Sequence, residues 1–277
     1  MRLGGPVYVQ HMDPDTWIKA VRQNGYRAAY CPIKAGASSE EIRAYRQAAA
    51  QADVVIAEVG IWDNLLASDE AQRRQALENN CRQLALADEI GAKCCVNIAG
   101  SRGAKWDGPC EKDLTEETFD MIVETVRAIL DAVKPRATYY TLEPMPWMYP
   151  DSPDSYLELI RAIDRPRFGV HFDPVNWICS PQRYFHNTAF LKECFAKLGP
   201  QIVSVHAKDT VLGDQLTTHL SEVRPGLGFL DYRTLLREMD RLPADTPIML
   251  EHLPTEEEYR LSAEYIRSVA AEIGVRL

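Results

Sequence analysis

Cysteine is scarce and oddly numbered: seven residues in 277, none at the paired spacing of a zinc-binding loop. Neither a disulfide framework nor a structural zinc can organise the fold, so a reduced, cytoplasmic setting is expected. No apolar run approaches the roughly 18 residues of a membrane span, so a membrane partner is not expected. The opening stretch, MRLGGPVYVQHMDPDTW, has neither a basic region nor a sustained apolar one, and no signal peptide is expected there. Positive charge is also short, with 31 Lys and Arg against 40 Asp and Glu, a formal net charge of −9. An extended nucleic-acid surface is normally basic, so nucleic acid is not an expected partner. There is no low-complexity segment, no linker able to split domains, and no glycine-rich loop plainly built for phosphate. Arg224 to Gly228, RPGLG, is the nearest approach to one.

What is present is alternation. The β-type runs RLGGPVYVQ, YRAAYCPI, VVIAEVGIW, AKCCVNIAG, ATYYTLEPM, RFGVHFDPV, QIVSVHAKD and PIMLEHL are each followed by an amphipathic helical segment. Strict alternation implies parallel strands joined by right-handed helical crossovers, and a count of eight implies closure. We expect an α/β fold in which residues 1–277 form a single (β/α)8 TIM barrel, a fold that typically takes about 250 residues. A doubly wound open sheet is the alternative. The stretches Ala99 to Leu114, Trp147 to Ser155, Trp177 to Asn187 and Thr210 to Leu230 read as irregular, and all follow strands.

Four strands end in a metal-binding side chain. Glu143, Asp173, His206 and Glu251 stand at the carboxyl ends of the last four β-runs. In a barrel those ends share one face, so distant residues can surround one point. Three carboxylates and an imidazole there would repel or take up protons unless a cation sat among them. Oxygen and nitrogen donors suit one divalent cation, manganese first, with magnesium, cobalt or zinc as alternatives.

Taken together, LEPMP at Glu143, FDPVN at Asp173, VHAKD at His206, RPGLGFLDY after it and LEH at Glu251 give the chain its family look. Over nearly its whole length it resembles the xylose isomerase-like superfamily of sugar phosphate isomerases and epimerases. The resemblance implies that Glu143, Asp173, His206 and Glu251 hold a catalytic divalent cation. It also implies that Glu143 and Glu251 move protons. The expected activity is isomerisation or epimerisation of a sugar or keto-sugar, phosphorylated or not, through an enediolate. The same site could serve a lyase or dehydratase acting on a keto-polyol or keto-glycoside. An abasic-site endonuclease, a non-catalytic partner subunit and a homo-oligomer are also weighed.

Substrate contacts are expected from Asn176, Lys208, Arg224, Glu58, Trp62 and His11. Asn176 stands three residues after Asp173, where some epimerase members carry histidine, which argues against a free-ketohexose epimerase. Lys208 alternates in phase with His206, and Glu58 shares a strand face with Trp62. Arg224 lies in the longest loop, and His11 just beyond the first strand. His171, deeper on the Asp173 strand, reads as a core histidine. His252 enters the site only if the chain bends after Glu251.

Overall fold

Short polar residues set where the helices begin, by accepting hydrogen bonds from the free N–H groups of the first turn. In the computed structural model, which describes Met1–Leu277, Asp13 caps α1 (Pro14–Gln23) and Ser38 caps α2 (Ser39–Gln51). Asp69, Thr115, Ser152 and Ser180 do the same for α3 (Glu70–Ile90), α4 (Glu116–Val133), α5 (Pro153–Ile163) and α6 (Pro181–Phe185). α7 (Asn187–Leu198) follows without a side-chain cap, and Asp231 and Thr255 start α8 (Tyr232–Met239) and α9 (Glu256–Ile273).

Between these helices run β1 (Arg2–Gly5), β2 (Ala28–Tyr30), β3 (Val55–Gly60), β4 (Cys94–Asn97), β5 (Tyr139–Leu142), β6 (Phe168–Phe172) and β7 (Ile202–Ala207). A pair, β8 (Asp209–Leu212) and β9 (Leu220–Val223), precedes the last strand, β10 (Pro247–Leu250). Eight strands close in the order β1-β10-β7-β6-β5-β4-β3-β2, so the chain is a closed parallel barrel wrapped by helices, a (β/α)8 TIM barrel. The apolar stripes of the helices bury Trp17, Tyr45, Leu84, Ile129, Leu159, Leu191, Leu235 and Ile266 in one continuous core against the barrel. Closure is tightest at Gly4, where a Cβ would stand 2.4 Å from the Ala28 carbonyl oxygen and 2.6 Å from Met249 Sδ. Only glycine lets β1 approach its neighbours there.

Two stretches read as irregular carry structure. Thr210 to Leu230 contains most of the antiparallel hairpin β8–β9, and Trp177 to Asn187 contains α6. Both hairpin strands are four residues long and partly exposed, so neither shows the apolar alternation that marks a half-buried strand. The hairpin is fastened at its base by the buried Asp209 carboxylate. That group accepts from the N–H groups of Thr210, Gly226, Gly228 and Leu230, at 2.9 to 3.1 Å.

Candidate active site

Glu143, Asp173 and Glu251 are the first residues after β5, β6 and β10, and His206 is the penultimate residue of β7. Those four strands are consecutive around the barrel, so the four side chains form an arc in the order Glu251, His206, Asp173, Glu143. One ligand atom from each lies within 4.8 Å of all the others. His206 Nδ1 faces this group, 2.9 Å from Glu251 Oε1, 3.2 Å from Glu143 Oε1 and 4.0 Å from Asp173 Oδ2. All four residues are buried.

The second carboxylate oxygen of Asp173 is used locally. Oδ1 accepts from the N–H groups of Val175 and Asn176, which fixes the turn after β6 and leaves Oδ2 aimed inward. Asp173 Oδ2 and Glu251 Oε1 have no aligned hydrogen-bond donor. Inward hard oxygens beside an imidazole nitrogen fit a divalent cation.

Lys208 belongs to the same cluster. Its side chain is buried, with Nζ 2.7 Å from Asp173 Oδ2, 3.5 Å from Glu143 Oε1 and in contact with Glu251 Oε1. The charges settle one another. Burial raises the Glu143 carboxyl, but the His206 and Lys208 charges outweigh it and hold that group well below its ordinary value. Glu251 follows the same balance and is also lowered. Burial, reinforced by Glu143 and Glu251, pushes Asp173 up to about 7 despite the Lys208 ammonium. Burial favours neutral His206, yet Glu251, Glu143 and Glu58 hold its imidazolium well above the usual histidine value.

This arrangement gives cation binding a pH sign. His206 must release its Nδ1 proton to ligate, and Asp173 competes best as a carboxylate. Metal affinity should therefore rise as pH passes through about 7, where Asp173 loses its proton, and go on rising above that as His206 loses its own, with protons released on binding. Calorimetry in two buffers of different ionisation enthalpy reads both quantities. A flat affinity would show that these groups are not the ligands.

The remaining expected contacts divide. Asn176 donates to Glu143 Oε1 at 3.2 Å and to the Pro144 carbonyl at 3.0 Å, so it steadies a cluster carboxylate at the cavity wall. Trp62 also lines the cavity, held at φ +61°, a left-handed conformation rare for a bulky side chain. Glu58 lies behind the cluster, reached by His206 Nε2 at 3.2 Å and His171 Nδ1 at 3.3 Å, and does not line the cavity. Arg224 is turned away, its Nε 2.9 Å from Glu258 Oε2 on α9. His11 is exposed, its carbonyl accepting from Thr16 at the entry to α1. For Arg224 and His11, loop position alone was a poor guide to side-chain direction.

The cavity above the cluster, about 510 Å³, has features that single residues did not signal. Trp106 and Trp147 join Trp62 in lining it, and the Trp147 indole donates to the Asp107 carbonyl. Glu222 on β9 also lines it, 3.4 Å from His252 Nδ1 and 3.9 Å from Lys208 Nζ. The chain does bend after Glu251, with His252 at φ +55°. Larger clefts of about 740 and 710 Å³ lie between α1 and α2 and between α7 and α8, but none of the clustered residues lines them. Size does not pick out the site; the convergent carboxylates do.

A family model described as "Xylose isomerase-like TIM barrel" matches residues 18–269. No curated protein matches the chain in sequence. Among solved structures, a xylose isomerase-like TIM barrel protein from Mycobacterium smegmatis in complex with magnesium is 18% identical, with a TM-score of 0.70. The alignment covers 98% of this chain and 97% of that one. D-psicose 3-epimerase from Clostridium cellulolyticum H10, solved with D-tagatose, is 13% identical over 100% of both chains, with a TM-score of 0.71. 3-Keto-D-glucoside 4-epimerase from E. coli is 15% identical, covering 97% of this chain and 99% of its own, with a TM-score of 0.69. At these identities the solved structures establish the fold alone.

Proposed function

This chain belongs to the xylose isomerase-like TIM barrel family, and on that premise we propose that it is a divalent-metal-dependent isomerase or epimerase of a keto-sugar. One observation carries the reading: two carboxylates, Glu251 and Glu143, stand at the two ends of a four-strand arc whose middle members are Asp173 and His206. Glu143 lines the cavity, and a sugar reaching from there to the cluster would have Glu251 at the far end of the arc. Glu143, Asp173, His206 and Glu251 would hold the cation, which when bound would offset negative charge developing on neighbouring sugar oxygens. One glutamate takes the proton from the carbon beside the carbonyl, and the other returns one to the opposite face or to the adjacent carbon. Asn176 keeps Glu143 in place. The carboxylate-rich donor set suits manganese, with magnesium, cobalt and zinc as the alternatives.

The cavity favours an unphosphorylated substrate. Its lysines and histidine already face acids: Lys105 lies 3.1 Å from Asp107, His252 faces Glu222, and Lys208 faces the cluster. Three tryptophans suit the apolar face of a sugar ring or an apolar group attached to it. That second possibility supports the lyase reading as well, in which the enediolate of a keto-glycoside expels a group instead of taking a proton back.

Metal-loaded protein should be incubated in D₂O with a panel of ketoses and keto-glycosides. Deuterium uptake beside the carbonyl, with all substituents retained, is the expected result. Loss of water or of an aglycone would select the lyase instead. Failure of every member to exchange would reject both.

A further inference from the structure

His206 has two ring nitrogens with different surroundings. Nδ1 looks toward three carboxylates of the cluster, and Nε2 looks the other way, toward Glu58 Oε1 at 3.2 Å. Glu58 and His206 are both 1% exposed or less, so water does not compete for this contact. A neutral imidazole carries one N–H. Were it on Nδ1, that nitrogen could not ligate, and the Nε2 lone pair would face the Glu58 carboxylate. With the proton on Nε2, the N–H donates to Glu58 and Nδ1 presents its lone pair to the cluster. From this we infer that Glu58 is a positioning residue, which selects the Nε2–H tautomer of His206 and fixes the ring plane so that Nδ1 can bind the cation.

The backbone supports the placement. The β2–β3 register slips so that Tyr30 pairs with Glu58, and the β6–β7 register slips so that His171 pairs with Ser204. His171 packs edge-on against His206, ring centroids 4.0 Å apart, with Nδ1 3.3 Å from Glu58 Oε2. The imidazole is thus walled on one face and held at its far nitrogen. Glu58, His171 and His206 also meet the spacing of a second cation site. Sharing His206 between two cations would require both ring nitrogens without protons, a far more demanding state than one N–H directed at a carboxylate.

The inference rests on the metal-dependent reading above, and manganese binding to the metal-free protein separates the two. Wild type should bind one ion per chain. E58Q keeps the shape and a carbonyl acceptor but loses the charge, and should bind about 10-fold more weakly; E58A should approach about 100-fold. In zinc-loaded, ¹⁵N-labelled protein, the His206 Nε2 proton should resonate far downfield in wild type and disappear in E58A. Metal-free E58Q should keep the wild-type circular dichroism spectrum at the titration temperature, so that its weaker binding is not loss of fold. Wild-type affinity in E58Q and E58A, or two ions in wild type falling to one, would overturn the positioning role alone. A wild type that binds no divalent cation would overturn both readings.

Discussion

Replacing Glu143 or Glu251 by glutamine should lower turnover of the metal-loaded protein by at least about 10²-fold, the lower range for losing a general base. Glutamine keeps the length and one oxygen donor, so weakened cation binding and sugar binding should persist. The neighbourhood makes the test selective. Both carboxylates are buried and both are lowered by the His206 and Lys208 charges, so each is a carboxylate at neutral pH. For an epimerase with two bases, one mutant should still wash deuterium into the substrate while failing to invert the centre. Exchange and inversion should therefore be measured separately in each mutant. Full turnover by either metal-loaded mutant would remove that glutamate from proton transfer.

Lys208→Met should destabilise the metal-free protein by about 3–5 kcal/mol, the range for stripping one partner from a buried ion pair. At roughly 2–4 °C per kcal/mol for a chain of this size, melting should fall by about 10 °C. Lys208 is 2% exposed and its ammonium faces Asp173, Glu143 and Glu251 at once, so its loss leaves carboxylates with too little opposing charge. Saturating manganese should restore most of the difference, because a divalent ion replaces the missing charge. The variant should also bind manganese more tightly than wild type, since no ammonium competes for the same oxygens. Calorimetric melting with and without the ion tests both statements. A metal-free variant that melts with wild type would show that Lys208 does not balance the cluster.

The barrel and the four clustered residues were legible in the sequence for the same reason. Short β-runs alternating with amphipathic helices dictate parallel strands, and parallel strands put their carboxyl ends on one face. A strand end therefore predicts position even before any contact is known. Side chains in loops carry no such constraint. Arg224 has a loop position that points to the cavity, but an acid on α9 captures it. Glu58 shares a strand face with Trp62, yet depth along the barrel axis, which alternation does not encode, sets it behind His206 instead of among substrate contacts. Of the tryptophan lining, Trp62 alone is legible in the sequence, for a related reason. Trp62, Trp106 and Trp147 come from the loops after β3, β4 and β5, and only the side-by-side pairing of those strands brings them together.

The fastening of the β8–β9 hairpin has a consequence for how this protein could diversify. Asp209 holds the base of the hairpin through backbone N–H groups, which every residue but proline supplies. Gly228 is dictated by the fastening itself, because a Cβ there would fall 2.1 Å from Asp209 Oδ1, and Gly226 by its φ of +94°. The tip of the hairpin, including the residues between Leu212 and Leu220, is thus free to drift in sequence while its root stays anchored beside Lys208. Since Glu222 reaches the cavity from this hairpin, exchange of the segment would reshape the cavity wall while leaving the arc of Glu251, His206, Asp173 and Glu143 unchanged.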